Sequence, residues 1–177
     1  MSKIYLESSH LRQKIMQGVD KLTNNVATTL GPRGRNVIIH LKGTNPIITK
    51  DGVTVARSIH LDDEFEDLGA QIVKQATSKT NTEAGDGTTT STVLTRAMLQ
   101  LGTQAMNEKV SVTQLKNGMN AAKDDACEIL MASSTAMNSL DEIEHVARIS
   151  SNGDEEFTDL ITKAVTNVWK VFSITVE

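Results

Sequence analysis

Apolar residues recur along this chain mostly at three- and four-residue intervals, the spacing that lines one face of a helix. Leu11, Ile15, Val19, Leu22 and Val26 form such a stripe and predict a long amphipathic helix from about Glu7 to Thr29. Gly31-Pro32 follows, a glycine-then-proline stop. The period changes in "RNVIIHL" (35–41) and "IITK" (47–50), β-rich runs on either side of the turn "KGTNP" (42–46), so a hairpin is expected there. Asp51-Gly52 breaks the chain again, and "VTVARSIHL" reads as a short helix. Phe65, Leu68, Ile72, Val73 and Ala76 set a helix over about 63–80. After "EAGDGTTTSTVL" (83–94), read as a loop that opens a helix, Val93, Leu94, Ala97, Met98, Leu101 and Ala105 set a third long one.

The second half is helical too. "SVTQ" (111–114) and "SLDE" (139–142) have the Ser-x-x-Gln/Glu form of a capping box. The first opens a helix carrying Leu115, Met119, Ala122, Ala126, Ile129 and Leu130; the second leads into Ile143, Val146 and Ala147. "SSNGDEEF" (150–157) is a loop whose acids suit a helix N-terminus, where the backbone dipole favours negative charge. Phe157, Leu160, Ile161, Ala164, Val165 and Val168 continue as a helix, and "FSITVE" closes as a strand. The abrupt stop there suggests a chain cut short. The pattern is mostly α with one small hairpin.

Composition narrows the classes. Hydrophobic residues make up 38% and charged residues 23% of the 177, which describes a globular chain. Aromatics are 3%, so the core must be aliphatic. The formal charge of −4 and the lack of a basic stripe argue against nucleic acid as a partner. No apolar run is long enough for a membrane helix. "MSKIYLESSH" has neither the apolar run of a signal peptide nor an Arg-rich transit pattern. The lone Cys127 forms no internal disulfide, which points to a reducing compartment; its helical spacing among Ala and Ile predicts a buried, inert thiol. His10, His40, His60 and His145 are scattered, as structural histidines are. The acidic run "DDEFED" (62–67) reads as a solvated helix start.

Candidate chemistry gathers at three turns. In "GDGTTT" a helix begins, and its free N–H groups attract anions. Gly85 and Gly87 let a ligand approach the backbone, and Thr88, Thr89 and Thr90 add hydroxyls. Asp86 would repel a phosphate unless a magnesium ion bridges the two, so Asp86 is a candidate metal ligand. A plain N-cap and turn explains the same residues. "TLGPRGRN" (29–36) is a second glycine-rich turn, with a C-cap and proline stop as its plain explanation. "TKDGVTVA" (49–56) puts Lys50 and Asp51 at a strand end, although a tight turn also accounts for Asp-Gly. Neither a Walker P-loop nor a G-x-G-x-x-G fingerprint occurs.

Taken in order, "TLGPRGRNVII", "ITKDGVTVARSI", "DLGAQIVKQA", "EAGDGTTTSTVL" and "ARISSNGDEE" closely resemble the group I chaperonins, the GroEL type, from about Leu11 to Glu177. The resemblance implies the N-terminal half of a helical equatorial domain over 1–133 and the first leg of an intermediate, hinge domain over 134–177, with the apical domain absent. It implies an ATP site: Thr29, Leu30, Gly31 and Pro32 wrap the nucleotide, and Gly87, Thr88, Thr89 and Thr90 cradle the phosphates. Asp86 ligates Mg2+, Lys50 lies near a potassium ion, and Asp51, near the γ-phosphate and attacking water, is the catalytic residue. Ser150 stands beside the nucleotide at the start of the hinge. The hairpin over 35–50 resembles the loop that pairs with a neighbouring subunit.

The implied activity is ATP-dependent folding of other proteins in a ring, seven-membered in this family, in the cytoplasm, mitochondrial matrix or plastid stroma. Unfolded clients and a co-chaperonin bind through parts missing here, as are the second equatorial half and the returning hinge leg. This chain by itself is therefore expected to bind nucleotide weakly and hydrolyse little. The alternative is a truncated, non-catalytic protein that binds or modulates complete subunits. "NVWKVFSITVE" departs from the family's lysine-glycine-rich turn, and the N-terminus lacks its usual start.

Overall fold

In the computed structural model the described residues are 8–40, 43, 45–136, 139–151 and 153–168. The strand expected in "FSITVE", the departure in "NVWKVFSITVE", the first residue of the expected N-terminal helix and parts of "KGTNP" lie outside them. The described elements are α1 (Ser8–Ala27), β1 (Val37–Ile39), β2 (Ile47–Thr49), α2 (Gly52–Ser58), α3 (Glu64–Ala84), α4 (Thr88–Asn107), α5 (Val112–Ser133), α6 (Leu140–Ser150) and α7 (Glu155–Val168). The chain divides into two compact units, 1–118 and 119–177.

The first unit is built on α1. Its apolar stripe supplies Val19, Leu22 and Val26, which pack with Ile39, Val55, Ala56, Ala70 and Val73 into one buried aliphatic cluster. Two glycines let α1 and α3 meet backbone to backbone. A Cβ on Gly18 would fall 1.7 Å from the Glu66 carbonyl oxygen, and one on Gly69 would fall 2.0 Å from that of Ile15. Such closeness brings Glu66 between two α1 lysines. Its carboxylate accepts from Lys14 at 3.1 Å and also from Lys21. The acidic run is thus not simply a solvated helix start: Glu66 is buried, while Asp63 caps α3 by accepting from the amides of Phe65 and Glu66.

The hairpin pairs Val37 with Thr49, Ile38 with Ile48 and Ile39 with Ile47, antiparallel. Ile39 enters the core, whereas Ile38 and Ile48 are exposed. Asp51 caps α2 through the amides of Val53 and Thr54, and α2 ends at Ser58, earlier than the "VTVARSIHL" run. Instead of continuing helically, Ile59 is extended, and its carbonyl accepts from the buried Lys74 of α3. α3 extends beyond the expected 80 to Ala84, because its polar last turn meets no breaker until Gly85. The stretch read as a loop is therefore short. Gly85 closes α3 and Gly87 opens α4, both with left-handed backbones (φ 71° and 79°) that favour glycine.

α5 opens with the expected capping box: Ser111 N–H donates to Gln114 Oε1 (3.1 Å) and Gln114 N–H to Ser111 Oγ (3.2 Å). None of its residues is buried, so Cys127 is exposed, contrary to the buried thiol inferred from its spacing. Helical spacing defines a face but not whether another element covers it. In the second unit α6 starts with the reciprocal Ser139–Glu142 box and packs on α7 around Ile143, Ala147 and Thr158. Glu155 and Glu156 occupy the first turn of α7, as the dipole argument expects. Arg148 bridges Glu144 and Glu155.

Candidate functional site

Three turns converge at one end of the first unit. Thr29, Leu30 and Gly31 leave the end of α1; Lys50, Asp51 and Gly52 join β2 to α2; and Asp86, Gly87, Thr88, Thr89 and Thr90 enter α4. They line one recess of about 250 Å³. A larger recess of about 420 Å³, lined by Ser9, Arg12, Gln13, Met16, Thr103 and Asn107, contains no acid. The smaller one concentrates the chemistry.

Each wall is fixed locally. Arg35 N–H donates to the Thr28 carbonyl (2.8 Å) and Gly34 N–H to that of Gly31 (2.9 Å), which folds the loop after α1 back on itself. Pro32, expected with its neighbours, is at the corner of that turn and is not among the lining residues. Thr29 Oγ1 donates to the Val26 carbonyl (2.8 Å) and lies 3.0 Å from Thr89 Oγ1, tying this loop to α4. Asp51 Oδ1 accepts from Val53 N–H (3.2 Å) and Oδ2 from Thr54 N–H (2.9 Å), so the carboxylate is held at the start of α2.

Gly52 is the site residue that sequence reasoning missed. Asp-Gly reads as a turn, and the pattern gives no hint of what faces the glycine. A Cβ there would lie 2.3 Å from Thr89 Oγ1, 3.1 Å from Thr88 Oγ1 and 3.2 Å from Thr89 N. The missing side chain is what lets the α2 and α4 turns touch.

The lining chemistry suits a polyphosphate with a divalent cation. α4 begins at Gly87 without a side-chain cap, so its first amides keep their donor capacity toward the recess. Asp51 and Asp86 add negative charge, offset by Lys50 alone among the lining residues. Two carboxylates beside phosphates need a bridging cation, and magnesium is commonly held by one or two carboxylates plus substrate phosphates. Among the described residues no group of three or more His, Cys, Asp or Glu forms a metal cage. Asp51 and Asp86, both lining the recess, fit a cation that substrate phosphates also hold. At about 250 Å³ the recess is smaller than the roughly 300–1,000 Å³ usual for small-molecule sites, so it matches the charged part of a nucleotide better than the whole. Ser150 closes α6 in the second unit, exposed, and is not among the residues lining the recess.

Among the described residues no helix is long and apolar enough to cross a membrane. Residues 22–176 match the family described as the TCP-1/cpn60 chaperonin family. Two crystal structures are similar. The chaperonin gp146 of bacteriophage EL (Pseudomonas aeruginosa), solved in the presence of ATP-BeFx, is 29% identical, with a TM-score of 0.74 over 93% of this chain and 29% of its own. A group III chaperonin in the open state is 26% identical, with a TM-score of 0.76 over 93% of this chain and 33% of its own. The chain thus spans about a third or less of either structure's length.

Proposed function

The chain belongs to the TCP-1/cpn60 chaperonin family, and from that premise we propose that it is the nucleotide-binding portion of an ATP-dependent protein-folding chaperonin subunit. The observation that carries this reading is the convergence of the 29–31, 50–52 and 86–90 segments on one recess. In it the α4 amides and the Thr88 and Thr90 hydroxyls would grip the phosphates. Asp86 would hold Mg2+, Lys50 would stand by a potassium ion, and Asp51 would serve the γ-phosphate and the attacking water, all three lining the recess. The metal supplies charge neutralisation on the phosphate oxygens; the residues of this chain supply position, the main source of rate in phosphoryl transfer. Pro32 and Ser150 complete the set when the rest of a subunit is present. Ring assembly, seven-membered by the motif resemblance, belongs to the same proposal. The exposed Ile38 and Ile48 of the hairpin support a role in pairing with a neighbour.

The test is Mg-ATP titration followed by amide NMR. Shifts concentrated at Thr88–Thr90 and Thr29–Gly31, abolished in Asp86→Ala, are expected at millimolar nucleotide, with little turnover by this chain. Unchanged spectra at saturating Mg-ATP sink the reading. A second reading, a non-catalytic partner of complete subunits, is favoured by the exposed apolar side chains of α3, α4 and α5. Co-elution with an assembled chaperonin without nucleotide-induced shifts would select it.

A further inference from the structure

We propose that Thr29 is a positioning residue which fixes the direction of the Thr89 hydroxyl, so that Thr89 meets a ligand in the recess as a hydrogen-bond acceptor and not as a phosphate donor. A threonine hydroxyl has one proton and two lone pairs. The Val26 carbonyl has no proton, so the 2.8 Å contact from Thr29 Oγ1 uses the single proton of Thr29. The 3.0 Å contact between Thr29 and Thr89 hydroxyls must then be made with the proton of Thr89. The relay runs in one direction, Thr89 to Thr29 to Val26, and joins the first turn of α4 to the last turn of α1.

The consequence is chemical. A phosphate oxygen accepts and does not donate, so the Thr89 side chain cannot bond it without leaving Thr29. The three threonines, equivalent in sequence, therefore differ in role. Phosphate is gripped by the α4 amides and the other hydroxyls, while the Thr89 oxygen serves a group that brings a proton or a positive charge. This assignment rests on the nucleotide reading for its ligand, but the relay exists without ligand.

Two measurements separate these parts. The first is a double-mutant cycle in urea unfolding with Thr29→Val and Thr89→Val and no nucleotide. The Val26 bond is private to Thr29 and gives no coupling, whereas the hydroxyl pair does. The double variant should raise the unfolding constant about fivefold less than the product of the two single effects, the size of one ordinary hydrogen bond. Full additivity overturns the relay. The second is titration with Mg-triphosphate. Thr29→Val releases the Thr89 proton and should tighten binding about two- to fivefold; Thr29→Ser should restore the wild-type value, and the gain should vanish in the Thr89→Val background. Weaker binding by Thr29→Val, equal in both backgrounds, overturns the assignment. Wild-type protein that binds no Mg-triphosphate sinks the nucleotide reading instead, and the unfolding cycle still decides whether the two hydroxyls are paired.

Discussion

At the scale of single residues, two contacts set testable limits. Gly52 has an ordinary helical backbone with no positive φ, and alanine there gains up to ~1 kcal/mol of helix propensity. Against that gain stands a Cβ placed 2.3 Å from Thr89 Oγ1 and 3.2 Å from the Thr89 backbone nitrogen. Overpacking of this kind costs about 1–3 kcal/mol, so steric cost wins. Gly52→Ala should lower the urea midpoint modestly and weaken Mg-ATP binding more than its stability loss explains, because the displaced group lines the recess. Glu66 provides the second case. Lys21 first and then Lys14 hold its carboxyl below the ordinary value of 4.5, and Lys14 does the same for Asp63 below 3.8. A folded state that takes up protons less readily than the unfolded chain keeps this stabilisation above those ordinary values, then loses it as pH falls through the lowered ones. Lys14 is raised above 10.5 by Asp63 and Glu66, so its share is present below that value and is lost as pH rises through the raised one. The thermal midpoint should be flat between about pH 5 and 8 with respect to these groups and fall below about pH 4.5, and the acid-side fall should be shallower in Glu66→Gln. An unchanged acid slope in that variant would remove Glu66 from the account.

At the scale of elements, the same substitution has opposite signs in two helices. Gly69→Ala drives a Cβ to within 2.0 Å of the Ile15 carbonyl oxygen, which is backbone and cannot swing aside, so α1 and α3 must part; a loss of about 3 kcal/mol or outright unfolding is expected by urea titration. Gly118, inside α5, has nothing within 4 Å of its would-be Cβ, and Gly118→Ala should raise stability by roughly 0.5–1 kcal/mol. Nothing in the sequence separates these glycines, since both stand in helical runs. The helices themselves were legible, because the apolar stripe of α1 and the Ser111 and Ser139 boxes act through neighbours three or four residues away. What depends on distant partners was not. The burial of Glu66 requires Gly18, 48 positions away in sequence by their numbering, to bring the lysines near. Cys127 carried the spacing of a buried residue on a helix that buries none. Within the site, the glycines and threonines of 85–90 announced a helix start by themselves, but the contact of Gly52 with Thr88 and Thr89 exists only after α2 and α4 are brought together.

At the scale of the whole molecule, the apolar surface left open matters most. On α3, Gly69 and Glu66 meet α1, which leaves Leu68 and Ile72 on the opposite side; on α4, Arg96 and Gln100 reach Asn24 and Asp20 of α1, which leaves Leu94, Met98 and Leu101 opposite. Each of these five is at least 43% exposed, on the side of its helix turned away from α1. In α5, Ile129, Leu130 and Met131 are 65%, 69% and 75% exposed. Surfaces of this kind are covered by a partner or promote association. Light scattering over a concentration series should show the chain associating as concentration rises. Met98→Lys with Leu101→Lys should suppress that association, and the thermal midpoint should hardly move, because side chains already 50% and 66% exposed contribute little to the core of their own unit. A marked fall in the midpoint would mean that this face is packed within the unit, and unchanged association would move the sticky surface to α5, where Leu130→Lys would then be the variant that relieves it.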